Sequence, residues 1–388
     1  MPKLIRLTTV PISLKLLLSG QMGFMKEQGW EVLMVSAEGK EISQIVKKEG
    51  CRHVVVPFTR RITPIHDLYC LWLLYKLFKK EKPDIIHSHT PKAGLLAMIA
   101  GVLAGVKIRI HTLAGLPHMA AGKNRKALLE KAEQWTYKCA VEIWPNSFSL
   151  QKMIVDNGWV AAEKVKVIGK GSSNGIDLGK FNRKSLAENH LVAATMRMTP
   201  SENEYIILSV GRLVKDKGIE ELVEAFLQSK IVSSSKLVLL GAFEQDLNPL
   251  SDEVLRKIID HPKIIQLDWT DHVAHYMALA DLFVHASHRE GFPNVLLEAA
   301  AMQVPILCSD IPGNIDIVKN KKTGLVFPPK DVDILRQGLE FAYVKREFMQ
   351  TLADRLYSQV IELYDRPKIQ ELFLKEYQRL LAQYLPSQ

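Results

Sequence analysis

Two glutamates, Glu290 and Glu298, are separated by seven residues near the end of a predicted strand, Leu282–Ala286. Glu290 comes just before a predicted helix, at the carboxyl end of that strand, where open α/β sheets bind ligands. Glu298 lies just over one turn further along the helix. Carboxylates at this spacing can hold two hydroxyl-bearing parts of one extended molecule, such as a sugar and a ribose. The alternative is an amphipathic helix with an acidic N-terminus and no ligand.

The start of this helix has the residues of a phosphate site. Pro293 suits the first helical turn, because a missing N–H costs nothing there. The backbone amides of Asn294 and Val295 then point out of the helix N-terminus, which favours a phosphate group. Gly291 and Phe292 precede them in the same predicted binding segment.

A second loop, Gly211–Gly218, has the sequence GRLVKDKG and lies between a predicted strand and a predicted helix. Its terminal glycines allow sharp backbone turns. Arg212 and Lys217 are suited to neutralising a diphosphate, the first as a planar fork and the second as a point charge. Basic loops of this kind are frequent, so the prediction depends on its combination with the glutamate segment.

The elements that position these residues alternate between short β-branched runs and amphipathic stretches. This alternation predicts an α/β protein with parallel sheets covered by helices on both faces. The predicted strands are Lys3–Val10, Glu31–Ala37, Arg52–Phe58, Asp84–His89, Lys107–Leu113, Val141–Pro145, Lys164–Ile168, Tyr205–Val210, Lys236–Leu240, Ile264–Leu267, Leu282–Ala286 and Pro305–Ser309.

A polar stretch interrupts the alternation and divides the chain into two predicted Rossmann-like domains with a ligand cleft between them. We predict a first domain at residues 1–185, completed by a C-terminal helix at 368–388. Residues 186–204 are predicted as a linker, and residues 205–367 as the second, donor-binding domain.

With both motifs in place, the chain resembles the retaining glycosyltransferases of the large GT4 family, which have the two-domain GT-B fold. Glu290 and Glu298 match the family's glutamate pair, and Arg212 and Lys217 match its basic pair. The resemblance covers essentially the whole chain, and the first half is similar to transferases of bacterial surface or capsular polysaccharide assembly. The further matching segments are Asp310–Asn314, Thr323–Val326, Thr8–Gln21, Pro83–Leu95, His111–Gly115 and Asn174–Phe181.

The resemblance implies roles for individual residues. Glu290 would be a catalytic residue that contacts the hydroxyls of the donor sugar, and Glu298 would contact the ribose of a nucleotide, preferably UDP. His111 would be the active-site histidine, with His87 and His89 as open alternatives and a buried structural histidine as the alternative for each. The nucleotide base would lie near Asp268 and Trp269 of the second domain, which makes Trp269 a donor-binding candidate.

The first loop departs from the family pattern. Many members have a glycine pair there, whereas this chain has Thr8–Ser13 with Gly20 only later. The hydroxyl groups of Thr8, Thr9 and Ser13 are available in this loop, and no catalytic role is assigned to them.

The implied reaction is transfer of a hexosyl or N-acetylhexosaminyl group with retention of configuration. The departing diphosphate needs positive charge in the transition state, and Arg212, Lys217 and the helix start supply it. We therefore expect no metal and no cofactor, the nucleotide-sugar being a substrate. Asp331–Asp333 spells DxD but is better explained as a helix cap.

Charge is unevenly distributed: residues 1–180 have a net charge of +13, and the remainder −4. A basic first half suits an anionic partner, with a solvated face as the alternative. We expect a lipid-linked or oligosaccharide acceptor and peripheral contact with an anionic membrane surface. The four cysteines are scattered, and the longest apolar run has 14 residues, against roughly 20 for a membrane span. These features predict a cytoplasmic protein, located peripherally at the inner face of the membrane.

Other functions are less consistent with these residues. A nucleotide-sugar epimerase would share the architecture but needs no acceptor site, and a non-catalytic nucleotide-sugar or lipid-binding subunit would not need the four charged residues. Nucleic-acid binding is not favoured, because the basic first half lacks interleaved aromatic residues. A dehydrogenase would need a GxGxxG after the first strand, which is absent.

Overall fold

The computed structural model describes residues 1–116, 123–198, 203–244 and 248–385, with no side chains described for 123–125. The chain forms two compact units. The first contains Met1–Asn174 and Pro367–Gln388, and the second Gly175–Arg366. The described part of each unit has one six-stranded sheet in which every neighbouring pair is parallel, as predicted from the alternating pattern.

The first sheet has the order β3-β2-β1-β4-β5-β6. Alternate residues of its strands enter apolar clusters on opposite faces, as Leu4 and Ile5 do in β1. Its strands are β1 (Lys3–Leu7), β2 (Glu31–Ser36), β3 (Arg52–Val55), β4 (Ile85–Ser88), β5 (Ile108–Leu113) and β6 (Glu142–Pro145). Its helices are α1 (Pro11–Leu17), α2 (Gln21–Glu27), α3 (Ile42–Glu49), α4 (Pro64–Glu81), α5 (Pro91–Ala104), α6 (Lys123–Cys139) and α7 (Phe148–Asp156).

The second sheet has the order β12-β11-β10-β7-β8-β9. Its strands are β7 (Tyr205–Val210), β8 (Ser235–Leu240), β9 (Ile264–Leu267), β10 (Leu282–His285), β11 (Ile306–Ser309) and β12 (Leu325–Phe327). The accompanying helices are α8 (Glu188–Met198), α9 (Ile219–Leu227), α10 (Asp252–Asp260), α11 (Val273–Leu279), α12 (Asn294–Ala301), α13 (Asn314–Ile317), α14 (Val332–Val344) and α15 (Arg346–Leu363).

The last helix, α16 (Arg366–Tyr384), lies almost entirely in the first unit, whose definition resumes at Pro367. Ile369, Phe373 and Tyr377 recur every four residues, so they share one helix face. This face packs on the cluster that contains Leu4 and Trp144.

Two features differ from the predicted pattern of elements. The predicted strand Lys164–Ile168 contains only an isolated bridge from Val165 to Ile143, whereas β12 was not predicted. With only three residues, β12 is too short to show a period-two pattern.

The predicted linker at 186–204 also differs from the structure, because α8 occupies most of it. Ala194 and Met198, four residues apart, are buried in the core of the second unit. The second unit begins earlier than predicted because Ile176 bonds to both ends of a turn: its N–H donates to Tyr364, and its carbonyl accepts from Arg366. Residues 199–202 and 386–388 lie outside the described residues.

Candidate active site

The second sheet reverses its strand order between β7 and β10, which are hydrogen-bonded neighbours. The chain runs outward from β7 to β9 and then returns to begin the other half at β10. The loops after the two central strands therefore diverge, and such a reversal is the usual ligand crevice of an open parallel sheet. Lys217 follows β7 and Glu290 follows β10, so the topology brings them to this point.

Three contacts hold the two loops together. Gly218 directly precedes α9 with φ of 67° and packs closely on the β10 loop, because a Cβ at this position would lie 2.1 Å from the carbonyl oxygen of Ala286. The backbone N–H of His288 donates to the carbonyl of Asp216 at 2.9 Å. The guanidinium of Arg289 donates to the Asp216 carboxylate at 2.5 Å. These contacts position Lys217, which lies between Asp216 and Gly218, against the β10 loop.

The carboxylate of Glu290 is the centre of the cluster. Its Oε1 accepts a hydrogen bond from Nζ of Lys217 and another from Oγ of Ser287 at 2.8 Å. Nε2 of His285 lies 3.1 Å from the same oxygen. Burial would raise the pKa of Glu290, but Lys217 and His285 outweigh it and hold the pKa well below its usual range. Glu290 is therefore an anion throughout the physiological pH range.

The second oxygen of Glu290 differs from the first. All three neighbours approach Oε1, and Oε2 accepts no hydrogen bond from the residues that the structure describes. An ionised carboxylate oxygen is an acceptor only, so Oε2 is suited to a hydroxyl group of a ligand.

Glu298 lies in α12 and has the opposite electrostatics. Burial raises the pKa of its carboxyl group to about 7, although the positive charges of Lys180 and Arg366 act against this shift. Arg366 also pairs with Asp177 at 2.9 Å. Glu298 is thus a group whose charge changes near neutral pH, in contrast to Glu290.

The other predicted donor-site residues of this unit are dispersed around the same sheet edge. Arg212 is exposed and pairs with Glu244 of the loop after β8. Trp269 is 55% exposed in the loop after β9. Asn294 and Val295 form the first turn of α12, and Gly291 is buried just before it.

Phe292 is placed differently from what a ligand-contacting side chain requires. It is buried in the core, with its ring centroid 5.6 Å from that of Tyr364. Only its backbone is therefore positioned for a direct contact with a ligand.

The first unit contains the three candidate histidines. His111 of β5 is buried beneath α5, where a Cβ at Gly94 would lie 2.5 Å from its ring. Its Nδ1 lies 2.9 Å from Oγ of Ser88. Burial lowers the pKa of His111 to about 4, so the ring is neutral at physiological pH.

His87 and His89 belong to a buried polar network on β1, β4 and α16. His87 contacts the hydroxyl of Tyr377 at 2.6 Å, and Arg6 donates to Nε2 of His89 at 2.9 Å. Burial lowers the pKa of both histidines well below its usual value. His89 lies where the first sheet reverses between β1 and β4, and the backbone N–H of Thr9 donates across this reversal to Oγ1 of Thr90 at 2.8 Å.

Two residues of the Glu290 cluster, His285 and Ser287, were not predicted from the sequence. A histidine at the last position of the otherwise apolar strand β10 was the available signal. Ser287, two residues later, continues the same alternation of side chains. Both act as positioning residues here, because their contacts go to Glu290.

Two family models match the chain in series. The model "Glycosyltransferase Family 4" matches residues 23–180, and "Glycosyl transferases group 1" matches residues 196–358. The crystal structure of HepE from Anabaena in complex with UDP superposes with a TM-score of 0.81 at 17% identity, covering 98% of this chain and 100% of that one. The GT-B fold predicted from the sequence is thereby confirmed.

Two curated relatives extend over most of the chain. The capsular polysaccharide biosynthesis glycosyltransferase CapM of Staphylococcus aureus is 33% identical over 342 residues, which are 87% of each chain. An Escherichia coli relative, UDP-Gal:alpha-D-GlcNAc-diphosphoundecaprenol alpha-1,3-galactosyltransferase, is 28% identical over 80% of this chain and 79% of its own. Since identity with CapM extends through both units, the chain belongs to the family 4 glycosyltransferases and is itself a glycosyltransferase.

Proposed function

We propose that this glycosyltransferase moves a hexosyl or N-acetylhexosaminyl group from a UDP-sugar to a lipid-linked or saccharide acceptor in bacterial cell-surface polysaccharide biosynthesis. In this proposal the reaction retains the anomeric configuration and needs no metal ion. The observation that carries it is the Lys217–Glu290 cluster at the strand reversal of the second sheet.

Lys217 supports the assignment of a diphosphate leaving group. Its ammonium group has three hydrogen-bond donors, of which Glu290 takes one. The others are suited to phosphate oxygens, whose negative charge grows as the glycosidic bond breaks. We propose that Arg212 and the amides of Asn294 and Val295 add to this stabilisation, so that protein groups supply the charge that a metal provides in other transferases.

Glu290 and Glu298 are proposed to bind different ends of the donor. We propose that Oε2 of Glu290 accepts a hydroxyl of the transferred sugar, while Oε1 stays bound to Lys217. Glu298 would accept the ribose hydroxyls, with Trp269 near the uracil. His111 is proposed as the active-site histidine, as the family resemblance implies, with His89 as the alternative.

The nucleotide and the acceptor are proposed from the comparisons. HepE was crystallised with UDP, and the name of the E. coli relative specifies UDP-galactose and a diphosphoundecaprenol-linked acceptor. The name of CapM assigns it to capsular polysaccharide biosynthesis. Retention follows the resemblance to the retaining GT4 enzymes.

The proposal is tested by incubating the protein with UDP-, GDP- and TDP-hexoses, bacterial lipid extract and EDTA. We expect label from a UDP-sugar in the lipid fraction at a rate that EDTA does not change. Proton NMR of the product should show the donor's anomeric configuration. A sugar altered but still attached to its nucleotide would indicate an epimerase, and loss of transfer in EDTA would contradict metal independence.

The raised pKa of Glu298 predicts that donor binding depends on pH. Since the ionised carboxylate is the better acceptor for ribose hydroxyls, affinity should be full above its pKa of about 7 and fall as the pH drops through it. A single titration changes the ionised fraction about tenfold between about pH 6 and pH 8, and the Kd should change by up to that factor. The measurement is calorimetric titration with an intact UDP-sugar, because its doubly esterified diphosphate does not titrate there.

The variant Glu298→Gln is the control for this dependence. It should bind the UDP-sugar more weakly than the wild type at pH 8, with a Kd that no longer changes across this range. An unchanged pH profile in Glu298→Gln would show that another group is responsible.

A further inference from the structure

The outward side of helix α4 is apolar. Cys70, Leu74 and Phe78 face the core and are buried. On the opposite side, four large apolar residues follow the i, i+3, i+4, i+7 spacing of one helix face. These residues, which we call the outer α4 face, are Ile65, Leu68, Tyr69 and Trp72, with 87, 66, 50 and 47% exposure. A surface helix normally has polar residues there, so a contiguous apolar face indicates an interaction surface.

The aromatic residues of the outer α4 face contact each other and a neighbouring lysine. The rings of Tyr69 and Trp72 stack with centroids 6.0 Å apart. Nζ of Lys76 lies 3.6 Å from the centroid of the Trp72 ring. Tryptophan and tyrosine beside lysine are the residues enriched at the boundary between lipid headgroups and acyl chains.

Basic residues, which we call the basic rim, flank this face along the chain. The segment from residue 60 to residue 82 contains six exposed basic residues: Arg60, Arg61, Lys76, Lys79, Lys80 and Lys82. Its two acidic residues are engaged by lysines from elsewhere, Asp67 by Lys92 at 2.7 Å and Glu81 by Lys3 at 2.6 Å. The uncompensated charge of the rim is therefore positive, which complements an anionic lipid surface and disfavours a second copy of the same basic face.

The location of α4 connects this face to the ligand edge of the first sheet. Helix α4 follows the carboxyl end of β3, and its N-terminus is held by Lys92, which bonds to Oγ1 of Thr59 at 2.8 Å as well as to Asp67. Lys92 belongs to the first turn of α5, directly after the reversal between β1 and β4. The outer α4 face thus begins beside the edge where a parallel sheet binds ligands.

We propose that the outer α4 face inserts into the headgroup region of an anionic lipid bilayer, while the basic rim binds lipid phosphates. No helix among the described residues is long and apolar enough to span a membrane, so the contact is interfacial. It would place the ligand edge of the first sheet beside a lipid-linked acceptor, and only this consequence rests on the proposed function.

The test is co-sedimentation with phosphatidylcholine vesicles, with and without phosphatidylglycerol, in the absence of donor and acceptor. The wild type should sediment with the anionic vesicles and be released by high salt, because salt screens the basic rim. The triple variant Ile65→Ser, Leu68→Ser, Trp72→Ser should bind these vesicles at least about tenfold more weakly.

A matched control replaces three apolar residues of the second unit that are comparably exposed overall, by Met196→Ser, Ile259→Ser and Val344→Ser, which are 71, 73 and 69% exposed. This variant should sediment like the wild type. UDP binding by the α4 variant, which should equal that of the wild type, reports separately on fold and donor site. Failure of the wild type to bind anionic vesicles, or equal binding by the α4 variant, would overturn the proposal. The proposal would also be overturned if the α4 variant still bound vesicles but differed from the wild type in molar mass by light scattering. The outer α4 face would then be a contact between protein chains.

Discussion

The substitution Lys217→Met is expected to lower the turnover number by about 10²- to 10³-fold, the range found when one preorganised charge-stabilising donor is removed. Lys217 lies at the strand reversal, fixed between Asp216 and Gly218, and its ammonium group contacts Glu290. Methionine keeps most of the length and the apolar stem but removes the charge that faces the departing diphosphate. The measurement is the initial rate of sugar transfer at saturating UDP-sugar.

Lys215→Met is the matched control, because Lys215 lies in the same short turn and is 45% exposed, with the carboxylate of Glu220 3.9 Å away. We expect less than about a threefold change for this variant, as for most exposed ion pairs. Equal losses in the two variants would mean that overall basicity of the loop, and not the position of Lys217, matters.

The substitution Glu290→Gln is expected to lower turnover by about 10²-fold, since hydrogen bonds to a charged group are worth roughly 1.5–3 kcal/mol and are strongest in a desolvated site. The carboxylate has two tasks: Oε1 holds Lys217 and Ser287, and Oε2 is proposed to accept a sugar hydroxyl. Glutamine keeps the shape but brings an NH₂ donor to one of these positions and removes the charge opposite Lys217. Steady-state kinetics with the UDP-sugar check this expectation.

The control here is Glu224→Gln in α9. The carboxylate of Glu224 lies away from the cluster and pairs with Lys257 at a distance of 2.9 Å. It should retain wild-type turnover. Wild-type turnover in Glu290→Gln with an intact fold would exclude the proposed role for the carboxylate.

The fold was predictable because most strands are short apolar runs that are largely buried, such as β1, β4 and β10. Helices such as α10 and α14 have an apolar stripe, which is visible in the sequence. The contact between Glu290 and Lys217 was harder to predict from the sequence. Their side chains meet across 73 residues of sequence, and this contact depends on the strand order β10-β7, which no local pattern encodes. Both residues were predicted to bind the donor, but the ion pair between them was not.

Other features depended on tertiary contacts in the same way. Helix α8 has two buried residues, Ala194 and Met198, and their burial depends on contacts with the second unit's core. Phe292 was itself predicted as a donor-binding residue, yet its ring packs inward against Tyr364. The burial of His111 follows from the absence of a side chain at Gly94, on a helix that packs over it.

The central claim is that the Lys217–Glu290 cluster binds the donor, with Lys217 on the diphosphate and Glu290 on the sugar. The most direct test is calorimetric titration of UDP into the wild type, Lys217→Met and Glu290→Gln, all in EDTA at one pH. We expect that the wild type binds UDP, that Lys217→Met binds it at least about tenfold more weakly, and that Glu290→Gln binds it about as well as the wild type. Equal UDP affinity in the wild type and Lys217→Met would contradict the account and place the diphosphate elsewhere.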